Sequence, residues 1–265
     1  MAGAAEFELI ITASGARALR DVASGEVMHA GADPRDEARV LYLEPSRLAQ
    51  RLCDPGPEPL LLLDVGLGAG TNAALALRAA RTQPSRRRAL HVLSFDLTLA
   101  GLELALAAQP ADFGLEGELE AAARTLHTSG SYERDGLRWS VCLGDLRSTL
   151  ASVSCAAADV VYWDPFSPRA TPELWSVAVF QLLQQRCRAR ATLHTYSAAT
   201  ATRSALLLAG FSVGKGPGLG TKQRHSTQAA LCAHDLAEPL SRTWLQGLAG
   251  NAQALPSDAP PDALR

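Results

Sequence analysis

The feature that most constrains the fold is the segment LLLLDVGLGAGTN at residues 60–72. Its leucines predict a buried strand that ends at Asp64, and the run AALALRAA after the glycines predicts a helix. A parallel strand that leads through an acid and a glycine-rich turn into a helix is typical of a nucleotide-cofactor site in an open α/β sheet. The spacing argues against a dinucleotide, because the third glycine of G-x-G-x-x-G would stand at position 71, which is Thr71.

The observed pattern, acid-x-G-x-G-x-G, resembles the first motif of the class I S-adenosylmethionine (SAM) methyltransferases. Glycines let the backbone approach a ligand where a Cβ would intrude, and an acid at the strand end can meet the ammonium group of SAM directly or through water. We therefore assign cofactor binding to Asp64, Gly66, Gly68, Gly70 and Asn72. The alternative is a turn built for packing alone, which three glycines and an acid in register make the weaker interpretation.

Composition indicates a globular chain with a substantial core. Hydrophobic residues make up 47% and charged residues 20% of the 265 positions. The formal net charge of −2 argues against a surface coated in positive charge for nucleic acid, although not against a local basic patch. No apolar run approaches the ~20 residues of a membrane span, and the amino terminus lacks the pattern of a secretory signal. We therefore expect a cytoplasmic protein.

The cysteines give no sign of a disulfide framework or a metal site. Cys53, Cys142, Cys155, Cys187 and Cys232 form no C-x-x-C pair, and no Cys/His cluster has the spacing of zinc ligands. We expect free thiols in a reducing compartment and no bound metal. Oligomeric state is left open.

From residue 60 onward strands and helices alternate, which predicts a mostly parallel sheet with helices on both faces. The predicted strands cover residues 60–64, 90–96, 137–143, 159–163, 192–196, 211–213 and 228–233. The predicted helices cover residues 71–82, 98–108, 117–128, 146–152, 172–185 and 200–209. Seven strands with a closing hairpin are the number expected of a Rossmann-like class I methyltransferase sheet.

Three regions follow from this pattern. An N-terminal extension over 1–55, with two short strands and a helix from Pro34 to about Arg51, covers the core. The methyltransferase domain spans 56–248. The segment 249–265 is rich in Pro, Ala and Asp without a periodic apolar face, so we expect a disordered tail.

Four acids follow predicted strands at the sheet edge where ligands of such folds bind: Asp64, Asp96, Asp145 and Asp164. We expect Asp96, which ends LHVLSFD, to accept hydrogen bonds from the ribose hydroxyls. Asp145, in CLGDL, lies in the loop expected to read the adenine amino group. The alternative for each is a helix N-cap, which Asp often provides. For Asp145 the two interpretations have nearly equal support.

Asp164 is the expected catalytic residue. With Pro165 and Phe166 it follows the strand VVYW and resembles the (Asp/Asn)-Pro-Pro-(Tyr/Phe) motif of amino-group methyltransferases. A carboxylate can accept N–H hydrogen bonds from an amine and hold its lone pair in line with the methyl group. The ring of Phe166 can support the cationic transition state, with Trp163 or Tyr162 as wall residues. The alternative is an Asp-capped turn with aromatic packing.

Longer segments are similar to the methyltransferase domain of the bifunctional tRNA enzyme MnmC and its single-domain relatives. They are YWDPFSPRATPELWS at 162–176, HTYSAATATRSALLLAGFSV at 194–213 and GPGLGTKQRHSTQAA at 216–230. The N-terminal segment 12–48 also matches, so the resemblance covers roughly residues 12–233. Departures are Ala30, Thr171 and Thr200, where the family has Ser, Asn and Gly, and Gln223, which separates a Lys-Arg pair.

The resemblance implies methyl transfer from SAM to the aminomethyl group of uridine 34, the wobble base of certain tRNAs, to give 5-methylaminomethyluridine. It covers only the methyltransferase half and not the FAD-dependent oxidoreductase half of the bifunctional enzymes, so the expected substrate already bears a free aminomethyl group. Among the implied site residues, Asp164 orients the amine and Tyr196 and Ser197 lie near the pocket. Lys222 and Arg224 face the RNA.

Further implications and alternatives remain at this point. His29 and Glu37 could line the cofactor mouth, and the basic run 86–88 could extend the RNA-binding face. A lone histidine is more often structural, Tyr196 could equally serve core packing, and charged hairpin residues are usually solvated. Competing functions are methyl transfer to a small-molecule or protein amine and a degenerate, non-catalytic SAM-binding module. The glycine spacing places a dinucleotide oxidoreductase last.

Overall fold

The computed structural model describes residues 6–29, 33–56, 59–219, 225–248, 254–260 and 263. It begins with an antiparallel hairpin of β1 (Phe7–Ile11) and β2 (Arg17–Asp21). The strands that follow are β3 (Leu60–Val65), β4 (Leu90–Asp96), β5 (Ser131–Arg134), β6 (Leu137–Leu143), β7 (Ala158–Trp163), β8 (Cys187–Thr195), β9 (Ser212–Gly218) and β10 (His225–Ala230). Within the described residues, β3 to β10 form one eight-stranded sheet in the order β5-β6-β4-β3-β7-β8-β10-β9.

The α-helices in the described residues are α1 (Pro34–Glu37), α2 (Glu44–Ser46), α3 (Leu48–Arg51), α4 (Thr71–Thr82), α5 (Ala100–Ala107), α6 (Glu118–Ser129), α7 (Leu146–Ser152), α8 (Val177–Gln184), α9 (Thr200–Leu208) and α10 (Arg242–Gln246). They cover both faces of the sheet, and β3 shows why its sequence is continuously apolar. Leu60 and Leu62 belong to one hydrophobic cluster, whereas Leu61 and Leu63 belong to the other. A strand buried on both faces reads as an apolar run and not as an alternation.

The topology places a crevice at the end of β3. Strands β6, β4, β3, β7 and β8 are parallel. The chain runs from β3 outward to β4 and β6, then crosses to β7 on the other side of β3. Ligands of doubly wound sheets bind where the strand order reverses, outside the carboxyl ends of the strands. That point lies between the ends of β3 and β7.

The predicted strand count of seven was wrong by one, because β5 adds an antiparallel edge strand to β6. The two strands are joined by Asp135 and Gly136, whose φ angles are 51° and 71°. Positive φ at both central residues is the geometry of a type I′ hairpin, and Asp-Gly is a preferred sequence for it. The dipeptide was therefore a readable signal for the missing strand.

Two predicted helices are interrupted. The helix expected from Pro34 to about Arg51 contains a π-helical turn, Ala38–Leu43, and a break at Arg47, which has a left-handed φ of 54°. The helix expected over 172–185 is a 3₁₀ turn, Pro172–Trp175, followed by α8. Ser176 caps α8 by accepting the N–H of Val179 at 3.3 Å. These breaks arise from local side-chain and backbone contacts that helical periodicity does not report.

The N-terminal extension shares its core with the sheet. Leu19, Tyr42, Leu48 and Leu52 are fully buried and belong to the same hydrophobic cluster as the β3 leucines. Removing the extension would expose this apolar surface to water. It therefore packs as part of the domain and carries Tyr42 into the sheet interior.

The described part of the carboxyl-terminal segment is not the disordered tail expected from composition. Ala254 is 2% exposed. The two carboxylate oxygens of Asp258 accept the N–H groups of Val177 and Ala178 at 3.0 Å each. An anion at a helix N-terminus satisfies N–H groups that have no intrahelical partner. A single capping carboxylate thus holds a segment that lacks apolar periodicity.

Candidate active site

The four acids predicted at strand ends all lie at the carboxyl edge of the sheet. Asp64 and Asp96 lie within the last two residues of β3 and β4. Asp164 directly follows β7, and Asp145 lies two residues beyond the end of β6. Because β3 is the neighbour of both β4 and β7, Asp64 is flanked by the strands that carry Asp96 and Asp164. Sequence order alone does not give this arrangement, which depends on the crossover to β7.

Asp64 is a buried carboxylate with one oxygen left unsatisfied. It is 1% exposed, and its Oδ2 accepts the hydroxyl of Ser94 at 2.6 Å. The Nε1–H of Trp139 donates in turn to Ser94 at 2.9 Å. Its Oδ1 has no hydrogen-bond partner among the described residues. Burial raises the pKa of Asp64 to about 7, and the Ser94 hydroxyl opposes that rise. A cation at Oδ1 would complete the site and favour the ionised carboxylate.

The glycine turn after β3 is required by close packing. A Cβ on Gly66 would overlap the carbonyl oxygen of Asp164, so the two loops of the crevice touch through backbone atoms. Gly66 and Gly70 have φ angles of +89° and +85°, which side chains rarely adopt. The N–H of Gly68 donates to Asp96 Oδ2 at 2.9 Å. The turn therefore joins β3, β4 and β7 at one point.

Asp96 is held by the backbone and lies beside exposed apolar surface. Its Oδ1 accepts the N–H of Leu97 at 2.7 Å, and burial raises its pKa against these backbone hydrogen bonds. Leu97 is 72% exposed, and Leu143, which pairs in register with Asp96, is 47% exposed. The two leucines form an exposed apolar platform beside Asp96 at the carboxyl edge of the sheet. The sequence analysis missed both leucines, although the apolar residue after a strand-end acid was a usable signal.

Asp145 has the helix-cap role that the sequence analysis held as its alternative. Its carboxylate accepts the N–H groups of Arg147 and Ser148 at the start of α7. It also pairs with the Arg147 guanidinium at 2.6 Å. These contacts, of which the Arg147 side chain contributes most, lower the pKa of Asp145 to about 2. Asp145 is thus a satisfied anion whose loop borders the Leu143 platform.

Asp164 is fixed by two donors from different parts of the chain. Its Oδ1 accepts the hydroxyl of Tyr42 at 2.6 Å, and its Oδ2 accepts Nδ2–H of Asn72 at 2.7 Å. Both donors are buried, and the Oδ1 of Asn72 has no partner among the described residues. Burial raises the pKa of Asp164 to about 6, while both hydrogen bonds lower it. The group is therefore ionised at neutral pH and oriented by rigid elements.

His29 and Glu37, whose role the sequence leaves open, lie near the Asp164 carboxylate. His29 Nδ1 is 3.4 Å from Glu37 Oε1, and the side chains are 10% and 14% exposed. Burial opposes the charged form of His29, but Glu37, Asp164 and Asp33 together raise its pKa. The imidazolium lowers the pKa of Asp164, and Glu37 raises it. Glu37 and His29 thus act on Asp164 in opposite directions.

Phe166 and Tyr196 form walls beside Asp164. The ring of Phe166 stacks on Phe7 of β1, with centroids 6.4 Å apart and an interplanar angle of 21°. Tyr196 donates its hydroxyl to the carbonyl of Pro165 at 3.1 Å, and its N–H donates to Tyr42 Oη at 3.3 Å. The N-terminal hairpin therefore contacts the loop that carries the candidate catalytic residue.

A further contact ties the hairpin region to the same loop. The carboxylate of Glu26 accepts the N–H of Ser167 at 2.9 Å and also its hydroxyl. Thr171 donates its hydroxyl to the carbonyl of Phe166 at 2.8 Å. The loop after Asp164 is thus held on both sides.

The basic run at residues 86–88, expected at an RNA face, lies away from the acids of the crevice. Residues 86–88 lie in the loop that enters the amino end of β4, opposite the carboxyl edge that carries the acids. Arg88 is buried and pairs with Asp159 at 3.4 Å, and Arg86 donates to the carbonyls of Asp135 and Gly136. The prediction that residues 86–88 extend the RNA-binding face was wrong, because their loop lies at the amino end of β4 and the acids lie at the carboxyl end. Lys222 and Arg224 lie outside the described residues.

Tyr42 is the main functional residue that the sequence analysis missed. It stands in an irregular helical segment 122 positions from Asp164, so no local motif could connect the two.

In the part of the chain that the structure describes, no helix is long and apolar enough to cross a membrane. No group of three or more His, Cys, Asp or Glu side chains suited to a metal ion occurs there.

Comparisons with known proteins place the chain among methyltransferases. Residues 120–231 match a family model described as S-adenosyl-L-methionine-dependent methyltransferase. Two relatives are named tRNA 5-methylaminomethyl-2-thiouridine biosynthesis bifunctional protein MnmC. The protein from Azoarcus sp. is 34% identical over 76% of this chain and 32% of its own length. The protein from Ralstonia nicotianae is 35% identical over 68% and 28%. The chain thus spans about a third of the length of these curated relatives.

A solved structure covers the whole chain. MnmC2 from Aquifex aeolicus aligns with a TM-score of 0.78 and 26% identity over 100% of this chain and 82% of its own. A spermidine synthase with 12% identity and a TM-score of 0.54 shares the fold alone. With the glycine turn and the acids of the crevice, these matches identify the chain as a SAM-dependent methyltransferase, a member of the family that includes MnmC and MnmC2.

Proposed function

We propose that the chain methylates the aminomethyl group of 5-aminomethyluridine, often 2-thiolated, at wobble position 34 of tRNA. The product would be 5-methylaminomethyluridine. The observation that carries this proposal is the Asp164 carboxyl group, fixed by the Tyr42 hydroxyl and the Asn72 amide at the crevice between β3 and β7. The printed name of the MnmC relatives supports the choice of nucleoside, and a tRNA substrate places the reaction in the cytoplasm.

The crevice fits SAM on three grounds. Asp64 Oδ1 and Asn72 Oδ1 are buried acceptors without partners among the described residues. Buried acceptors need a donor, and the ammonium group of SAM would supply one. The Gly66 end of the glycine turn packs against the backbone of the Asp164 loop, so the two sides of the crevice are held together. Leu97 offers an exposed apolar surface for a planar base. We assign the methionine part to Asp64 and the glycines, the ribose to Asp96 and the adenine to the Leu97 and Asp145 loops.

The chain's own residues then supply geometry and charge for N-methylation. SAM, when bound, supplies a methyl group on a sulfonium. Asp164 accepts an N–H hydrogen bond from the neutral amine, keeps the nitrogen lone pair directed at the methyl carbon and takes the proton that the nitrogen loses. Phe166 and Tyr196 exclude water and place aromatic surface beside the developing positive charge. Because a stacked base cannot reach this crevice, the nucleotide is turned out of the anticodon stack.

The decisive experiment measures methyl transfer from labelled SAM to tRNA from cells that lack the final methylation. Nucleoside mass spectrometry identifies the product. We expect a methyl gain on 5-aminomethyluridine that is absent with Asp164→Ala, whereas calorimetry shows SAM binding to both proteins. SAM binding without transfer to any tRNA would contradict the tRNA substrate and leave a small-molecule or protein amine. Absence of SAM binding would contradict the enzyme itself.

Replacing Tyr42 by Phe tests how Asp164 is positioned. The variant loses one hydrogen bond to a carboxylate, so we expect kcat to fall about 10- to 100-fold, equivalent to about 1.5–3 kcal/mol. That hydrogen bond lowers the pKa of Asp164, and its loss moves the acid limb of the kcat profile to higher pH. The measurement is the pH dependence of single-turnover methyl transfer.

Tyr162→Phe is the matched control for this variant. Tyr162 is also fully buried, packs at 5.5 Å from Tyr42 and shares its hydroxyl hydrogen bond with Ser46 at 3.0 Å and not with Asp164. We expect this control to lose some stability but to keep the acid limb. An unchanged limb in Tyr42→Phe, or an equal shift in both variants, would refute the positioning role.

A further inference from the structure

A second cavity lies beside the candidate active site and shares one wall with it. The cavity measures about 610 Å³, and its wall includes Tyr196, Ser197, Arg203, Lys215 and His225. These residues come from the loop after β8, from α9 and from the two strands β9 and β10. Tyr196 also contacts Tyr42 and Pro165. The cavity is therefore adjacent to Asp164 at the same edge of the sheet.

Arg203 is a buried cation in the wall of this cavity without a carboxylate partner among the described residues. It is 8% exposed. Its Nε–H donates to Thr227 Oγ1 at 3.0 Å, and Nη2 donates to the carbonyls of His225 at 2.9 Å and Ser226 at 3.1 Å. Thr227 is fixed in turn, because its hydroxyl donates to the carbonyl of Ser197 at 2.6 Å. Three neutral acceptors thus orient the guanidinium but leave its charge uncompensated.

The free side of Arg203 has the donors that an anion requires. Guanidinium has five N–H donors, and the contacts within the described residues use Nε and Nη2. The two donors on Nη1 remain. A buried charge is costly unless it is paired, and a guanidinium fork matches the geometry of phosphate oxygens. The favoured ligand is therefore an anion with several oxygens, supplied from the cavity side.

Two neighbouring features add to the positive potential. Lys215 lines the cavity with a side chain that is 37% exposed, and its Nζ pairs with Glu238 at 2.7 Å. Helix α9 begins at the cavity, and its N-cap residue Ala199 provides no side-chain acceptor for the first N–H groups. Such N–H groups favour an anion.

We propose that this cavity binds a phosphate of the RNA strand next to the nucleotide that is methylated, through Arg203 Nη1 and Lys215 Nζ. The inference rests on the proposed tRNA substrate. A nucleotide turned out of its stack needs its backbone held in register, and phosphate contacts provide that register without reading sequence. Because Tyr196 lines this cavity and also contacts Pro165 beside Asp164, we expect the bound phosphate to be one that neighbours the methylated nucleotide.

The test combines protein variants with neutralised phosphates. The probe is an anticodon stem-loop RNA that carries 5-aminomethyluridine, made as a series with one uncharged methylphosphonate at each position around the target. Affinity is measured for the parent chain, Arg203→Lys and Lys215→Gln. We expect one methylphosphonate next to the target to weaken parent binding about 10-fold, and the same change to cost little in either variant. Lys215→Gln, which removes a positive charge, should also lower the salt slope of log Kd by about 0.7, whereas Arg203→Lys keeps its charge and should leave the slope nearly unchanged.

Arg81→Gln is the matched control. Arg81 is exposed in the last turn of α4, pairs with Glu118 and lies at the opposite edge of the sheet. It removes one paired surface charge, as Lys215→Gln does, but should leave the methylphosphonate effect intact. Arg203→Lys is interpreted only if its thermal melting is cooperative, and Lys215→Gln, at the surface, keeps the test decisive if Arg203→Lys does not fold.

The outcomes separate this site from the proposed function. Equal parent affinity for every methylphosphonate RNA, or the same methylphosphonate penalty in the parent and in Lys215→Gln, would overturn the phosphate site. If methyl transfer to the intact RNA continues in that case, the tRNA function stands. If the phosphate coupling appears but no methyl is transferred to any RNA, the phosphate site stands and the methylated group is wrong.

Discussion

Replacing Asp164 by Asn should lower kcat by about 10²- to 10⁴-fold, the range for loss of a positioned proton acceptor. The asparagine has nearly the same volume and keeps an oxygen to accept from Tyr42, so the walls of the crevice stay in place. It removes the charge that accepts the amine N–H and the proton. Because Asp164 lies after β7 and the unsatisfied acceptor of Asp64 lies on β3, the Kd for SAM should change little. Single-turnover transfer and calorimetry measure these two quantities separately.

The pH dependence gives a second reading of the same residue. In the parent chain burial raises the pKa of Asp164 to about 6. The rate of methyl transfer at saturating SAM should therefore fall only below about that pH, where the carboxylate becomes protonated. The Asn variant has no such group, and its residual rate should lack this fall. A variant that keeps full rate, or one that loses SAM binding and rate together, would show that Asp164 is not the amine-positioning residue.

The sheet was predicted correctly from the sequence where the burial of a strand or helix produces a local pattern of apolar residues. The leucine run of β3, the helix after the glycines and the parallel order follow from apolar runs and alternation. The prediction failed where a single turn or hydrogen bond determines whether an element forms or ends. The edge strand β5 depends on the Asp135-Gly136 turn, and the break before α8 depends on the Ser176 hydroxyl. The tail is held by Asp258 through two backbone N–H groups.

The candidate site divides in the same way. Asp64, Asp96 and Asp164 could be found from sequence because a strand-end acid beside a glycine turn is a local signal. Tyr42 could not, since its contact with Asp164 is created by the packing of the N-terminal extension. Arg203 was visible only as part of a family segment, and its unpaired side depends on the carbonyls of β10. Long-range hydrogen bonds thus complete a site whose outline is local.

Replacing Asp64 by Asn should weaken SAM binding about 10- to 100-fold at pH 8, equivalent to about 1.5–3 kcal/mol for a lost hydrogen bond to a charged group. Oδ1 of Asp64 is buried and unpartnered, and a neutral amide cannot replace the attraction of a carboxylate for an ammonium group. Calorimetry over pH 5.5–8.5 measures the effect. Ser94→Ala is the graded variant, because loss of its hydroxyl raises the pKa of Asp64 further without removing the carboxylate.

The pH dependence of the stability of Asp64→Asn distinguishes the loss of a ligand contact from damage to the fold. Burial raises the pKa of Asp64 in the folded, ligand-free chain to about 7, above its ordinary value of 3.8. Between these values the folded state holds a proton that the unfolded state has released, so stability falls as pH rises from about 4 to 7 and the cost is complete above pH 7. Asp64→Asn avoids that cost and should melt higher, relative to the parent, at pH 8 than at pH 5.

SAM binding should follow the opposite trend. The parent must release the Asp64 proton to bind an ammonium group, so its affinity should rise about tenfold per pH unit below pH 7 and level off above it. The difference in SAM affinity between the parent and Asp64→Asn therefore becomes smaller as the pH falls. In Ser94→Ala the rise of SAM affinity with pH should occur at higher pH than in the parent. A gap that is constant over pH, together with a lower melting temperature of Asp64→Asn at pH 8, would show that Asp64 supports the fold and does not meet the cofactor.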